Sequence, residues 1–125
     1  MMRFTIPGRL ASLNDYTASC RSNAHVGNAM KKKQERLITD ALTAQQVKPV
    51  ENYPVILNII WYESSERRDV DNITFAVKFI MDALKACGVI VDDSRRYVTG
   101  INHTVKTDKS NPRIEVEIKE GADHA

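Results

Sequence analysis

Apolar and polar positions change period several times along this chain, and each change marks an element. Ile73, Ala76, Val77, Ile80, Met81 and Leu84 recur at i, i+3, i+4, i+7 spacing, the period of a helix with one buried face. Asp71, Thr74, Lys78, Asp82 and Lys85 fall on its polar face. Asp71 or Asn72 is the expected N-cap and Gly88 the expected stop. Upstream, the run Val55 to Tyr62 is apolar on both phases, which predicts a central strand covered on both faces. Met2, Phe4 and Ile6 alternate with Arg3 and Thr5, a short strand ended by Pro7-Gly8. The segment Arg9 to Asn28 is rich in Ser, Asn, Gly and Arg and reads as an ordered loop. Ala29 to Gln46 holds strong helix formers with an apolar stripe of Leu37, Ile38, Ala41 and Leu42. Tyr97 to Val105 and Arg113 to Lys119 alternate cleanly about the turn at Thr107 to Pro112, which predicts an antiparallel hairpin with Ile114, Val116 and Ile118 inward. Glu120 to Ala125 is a polar tail expected to fray. The order β-α-β-α-β-β predicts an α/β (α+β) fold, a small mixed sheet flanked by two helices.

At 125 residues the chain is expected to form one domain, 1–125, and 42% hydrophobic residues can fill a modest core. A net charge of +2 is too mild to argue for nucleic acid by itself. Local basic clusters at Lys31-Lys32-Lys33, Arg67-Arg68 and Arg95-Arg96 say more, although any one of them alone reads more readily as solvated surface. No signal peptide follows Met1-Met2-Arg3-Phe4, and no run approaches the ~20 apolar residues of a membrane span. Cys20 and Cys87 lack CxxC spacing and are expected to be reduced thiols, so a cytoplasmic protein follows.

The candidate chemistry lies between Glu66 and Arg96. The predicted helix has Asp69-Val70-Asp71-Asn72 at its start and Asp92-Asp93 beyond its end, with arginines beside both. Crowded carboxylates repel one another unless a divalent cation sits between them. Taken singly, an acid at a helix start is as readily a cap, and an acidic pair as readily a turn. An EF-hand beginning at Asp69 fails, because Thr74 replaces the glycine and Ile80 the closing Glu. No GxxxxGK loop is present, and no organic cofactor is implied. His25, His103 and His124 have no partner at zinc spacing, and no serine has a nearby His. His103 reads as a strand residue with ordinary packing. What survives is an oxygen-ligand site in which Asp69, Asp71 and Asp93 suit Mg²⁺, with Mn²⁺ as a substitute. Lys78 could neutralise charge building on a phosphate, although spacing alone favours a surface lysine. Lys31, Lys32 and Lys33 sit near the predicted start of their helix, where the dipole disfavours cations and a DNA phosphate would relieve them. Asn14 and Arg21 could also reach a phosphate, with plain turn chemistry slightly favoured.

The chain resembles the RusA family of Holliday-junction resolvases. The resemblance rests on RRDVDN (Arg67 to Asn72), KFIMDALKACGV (Lys78 to Val89), the turn at Asp92-Asp93 and the opening FTIPGRLASLND (Phe4 to Asp15). It implies a small α/β homodimer that cuts four-way DNA junctions with Mg²⁺, using Asp69, Asp71 and Asp93 as catalytic acids. The family's helix lysine follows the DxDN with two residues between, a position held here by Phe75. Three further residues rotate an α-helix by about 300° and raise it about 4.5 Å, so Lys78 stays within about 60° of the family position. Asp92 is a supporting or alternate ligand, and Arg67, Arg68 and Lys31 to Lys33 are DNA-contact candidates. Two opposed nicks on strands related by a two-fold axis match a two-fold dimer with two sites. The alternatives are a non-catalytic module that binds branched DNA, which three unneutralised carboxylates oppose, and a nuclease specific for flaps or forks.

Overall fold

Strand alternation sets which side of the sheet is buried, and the helices follow from it. A computed structural model describes residues 2–121. In chain order it contains β1 (Met2–Pro7), α1 (Leu13–Ser22), α2 (Ala24–Ala44), β2 (Val55–Glu63), α3 (Val70–Thr74), α4 (Val77–Ala86), β3 (Val98–Thr107) and β4 (Arg113–Lys119). The strands form one mixed sheet in the order β1-β4-β2-β3. Strand β4 runs antiparallel to both β1 and β2, and β2 runs parallel to β3. The α/β class with a mixed sheet is thus as expected. The predicted β3–β4 hairpin is not formed: β2 lies between the two strands, and each pairs with it. Alternation locates strands and their inward faces but carries no information about which strand is the neighbour.

Buried residues align in rows across the sheet. Phe4 stands opposite Val116, which stands opposite Ile59, and Ile6, Ile114 and Trp61 form the next row. Helix α4 adds Phe79, Ile80 and Leu84 to the same core, and α2 adds Ile38 and Leu42. The other phase of β2, expected to be covered, is half-exposed at Ile56, Asn58, Ile60 and Tyr62. There a polar chain crosses all four strands. Arg3 donates to Glu117 (3.1 Å), Asn58 donates to Glu117 (3.0 Å), and Asn102 donates to Asn58 (2.8 Å).

The helices depart from expectation in three places. The segment read as a loop is helical: Ser12 opens α1 with a reciprocal capping box to Asp15, and Asn23 caps α2 through the Val26 amide. Helix α1 buries no residue, which is why apolar periodicity did not reveal it; the Ser12-x-x-Asp15 spacing was the available signal. Where α1 crosses α2, a side chain at Gly27 would put its Cβ 2.7 Å from the Cys20 sulfur. Because α2 begins at Ala24, Lys31 to Lys33 lie more than a turn inside it, and the expected dipole cost does not arise. The helix after Arg68 is two segments, with Asp69 rather than Asp71 or Asn72 as N-cap. Gly88, at φ +73°, ends α4 as expected; Val89 donates to Leu84 (2.9 Å) and Gly88 to Lys85 (3.1 Å), the paired bonds of a Schellman stop.

Of the expected frayed tail, residues 122–125 lie outside the described residues. Its first two are tied: Glu120 accepts from the Asn52 amide (3.2 Å), and Gly121 donates to the Asn52 carbonyl (3.2 Å). Among the described residues no helix is long and apolar enough to cross a membrane.

Leu57, fully buried in the central strand, is expected to cost about 2–5 kcal/mol when changed to alanine. Val91→Ala, at a position 62% exposed, should stay within about 0.5 kcal/mol of wild type in the same urea unfolding series. His103 accepts a hydrogen bond at Nδ1 from the Trp61 indole (2.9 Å), and desolvation against the sheet lowers its pKa. The unfolded chain therefore binds this proton more readily than the folded one. Stability from His103 is full above the free imidazole value of about 6.5 and is lost as pH falls through the lower folded value. His103→Gln should flatten that fall, which chemical unfolding followed by the fluorescence of Trp61, the chain's single tryptophan, will read.

Candidate active site

The phase of β2 places Glu63 in the same buried row as Val55, Leu57, Ile59 and Trp61. A carboxylate 3% exposed requires a charged partner, and Arg68 supplies it. The Arg68 guanidinium holds Glu63 by two bonds, Nε to Oε1 (2.9 Å) and Nη2 to Oε2 (3.0 Å), and its Nη1 donates to the Leu10 carbonyl (3.2 Å). Arg9 adds a longer contact to the same carboxylate, 3.4 Å. Glu63 and Arg68 thereby close the link that leaves β2 and tie it to the β1–α1 connection. The sequence pattern makes both Arg67 and Arg68 DNA-contact candidates. The structure turns Arg68 inward and keeps Arg67 exposed.

Asp69 follows directly as the N-cap of α3, and its side chain makes no capping bond. Asp71, one residue into α3, is exposed and accepts only from the neighbouring Asn72 amide (3.0 Å). Asn72 accepts from the Asn14 backbone amide (3.0 Å), joining the first turns of α1 and α3. So Asn14 serves this site through its backbone. Asp69 and Asp71 stand between two anchors, Arg68 on Leu10 and Asn72 on Asn14, and among the described residues neither is in an ion pair.

Asp93 is elsewhere. Val91 donates to Tyr53 Oη (3.1 Å) and Val55 donates to the Tyr97 carbonyl (2.8 Å), so the Asp92-Asp93 turn lies beside the start of β2. Asp69 and Asp71 lie beyond its end. The strand between the two places spans eight steps of about 3.3 Å, roughly 26 Å. Asp92 is ion-paired to Lys85 (3.0 Å) in the last turn of α4. One chain therefore does not bring the three acids together. Among the described residues no three His, Cys, Asp or Glu side chains converge on a metal position. The Lys85 hydrogen bond lowers the Asp92 pKa, and Asp92, followed by the charge of Asp93, raises that of Lys85. Asp92 is thus committed to a lysine, whereas the Asp93 carboxylate is in no ion pair.

Phe75 packs its ring against Tyr16 (5.6 Å) and Phe79 (5.7 Å). Between α3 and α4 the backbone tightens, with Ala76 donating to Ile73 and Lys78 to Phe75, three residues back (3.2 Å each). In such a turn residues three apart eclipse, so Lys78 lies closer to the face of Phe75 than an unbroken α-helix would put it. Lys78 is exposed and in no ion pair. Lys31 is held by Asp82 (3.4 Å), while Lys32, Lys33 and Arg21 are exposed.

A family model described as endodeoxyribonuclease RusA matches residues 14–119. The chain belongs to the RusA family. Membership makes it a Holliday-junction resolvase, a crossover junction endodeoxyribonuclease acting on DNA, in a family whose nucleases are metal-dependent. The match takes in both acidic segments and all of the sheet except β1. No curated protein matches the chain.

Proposed function

We propose that this RusA-family chain, one domain over residues 1–125, resolves four-way junctions as a homodimer. Each site combines Asp69 and Asp71 of one protomer with the partner subunit's Asp93. The observation that carries this reading is the separation of the acids: they occupy opposite ends of β2 and cannot share a cation within a chain. A two-fold axis that sets the start of β2 in one protomer against the end of β2 in the other satisfies both sites at once. The donor set fits a hard divalent ion, because all three groups are carboxylates outside any ion pair among the described residues. Mg²⁺, or Mn²⁺ in its place, would supply a polarised phosphate and an activated water when bound. Asp69 and Asp71 orient that chemistry from a pinned loop. Lys78, about two turns beyond Asp71, offsets charge building on the phosphate. Arg67, Lys32, Lys33 and Arg21 contact phosphates along the junction arms, which makes binding salt-sensitive.

Mixing two inactive variants tests the shared site. Asp71→Asn and Asp93→Asn homodimers should each fail to nick an immobile four-way junction. Heterodimers formed by co-refolding carry both lesions in one site and leave the other intact, so nicking should return to about a quarter of the wild-type site count. These products should be single nicks rather than paired ones. No recovery, with mixed dimers demonstrated by mass, sinks the shared site. Lys78→Ala should lower nicking about 100-fold while metal-free junction affinity, read by gel shift, changes little.

A further inference from the structure

We propose that the buried Glu63–Arg68 pair is a positioning device for the metal-binding acids, with Glu63 and Arg68 acting only through Asp69 and Asp71. This rests on the assignment of those two acids made above. Glu63 ends the central strand, the most constrained part of the fold, and is 3% exposed. Arg68 is the residue immediately before Asp69. Its fork fixes both carboxylate oxygens of Glu63, at 2.9 and 3.0 Å, while the third contact, to Leu10 at 3.2 Å, ties in a second segment. With Asn72 fixed on Asn14 from the other side, the backbone bearing Asp69 and Asp71 is held at both ends. The two acidic side chains themselves are left available.

A pair serving stability alone would have no reason to sit at this place. Buried ion pairs are weak stabilisers compared with apolar replacements of similar volume, because desolvation opposes their attraction. What a planar, two-pronged fork provides is direction. A lysine cannot reproduce three simultaneous contacts from a fixed plane. Groups that orient metal ligands govern affinity for the ion even though they never touch it.

The test uses full-length protein and direct Mn²⁺ binding, read by electron paramagnetic resonance without DNA. Glu63→Gln and Arg68→Lys should raise the Mn²⁺ concentration for half-saturation about 10- to 100-fold. Junction affinity in EDTA should stay within about twofold, since both side chains are spent on each other and on the Leu10 carbonyl. Nicking should recover towards the wild-type kcat at high Mn²⁺, whereas Asp71→Asn should not recover. Because single variants leave a buried charge unpaired and can unfold, the double variant Glu63→Leu/Arg68→Met is the second arm. It refills the volume without charge and should melt near wild type yet bind Mn²⁺ as weakly as the single variants. Wild-type Mn²⁺ affinity in this folded double variant overturns the proposal and leaves the acids' role intact. Wild-type Mn²⁺ affinity in Asp71→Asn instead overturns the assignment of the acids on which the proposal rests.

Discussion

Strands β2 and β3 are parallel neighbours, and that constraint shapes everything around the site. A parallel pair cannot be joined by a tight turn; the chain must return the full length of the strand before it can pair again. Helices α3 and α4 make that return. Whatever the chain carries as it leaves β2 is therefore separated from whatever it carries as it enters β3 by the height of the sheet. Asp69 and Asp71 are on the departing side and Asp93 on the arriving side, so the same connection that builds the core also divides the acids.

Under the proposed pairing of two protomers, the division gives the two-fold assembly a chemical role. A metal-dependent nuclease whose acids cannot meet within one protomer is idle until paired, which couples cutting to the symmetry of its substrate. Four-way junctions present two equivalent strands about a two-fold axis, and sites shared across a dimer axis come in matched pairs by construction. Under the same proposal, the exposed cations Arg67, Lys32 and Lys33 add affinity for phosphates without sequence preference.

Charge is handled differently on the two sides of the sheet. At its end, Glu63 and Arg68 are buried together and fix a loop. On the open face, Arg3, Glu117, Asn58 and Asn102 link the four strands in a chain of hydrogen bonds at the surface. The Asn58 hydrogen bond, with the Arg3 contact, holds the Glu117 carboxyl below its ordinary pKa. The first arrangement fixes one loop in one geometry; the second keeps a half-exposed sheet surface satisfied.

Much of this was legible in the residue pattern. Alternation located β1, β3 and β4 and named the inward residues of β1 and β4, because a strand's period is local; the apolar run located β2 but not which of its faces is buried. The α4 face was equally plain, and the glycine stop at Gly88 fell where its left-handed backbone is needed. The family was legible from DxDN and the later acidic turn. Helix α1 was not, because none of its residues is fully buried and it leaves no apolar stripe. Strand pairing was not, because β4 satisfies the same alternation beside β3 as beside β2. Glu63 was half legible: it sits in phase with the buried residues of its strand, but nothing local says that Arg68 turns back to meet it. The sequence by itself determined the elements, their buried faces and the kind of chemistry the acids can perform. Only the tertiary structure decided where those acids stand, since distance between residues remote in the chain is set by which strands pair and in which direction.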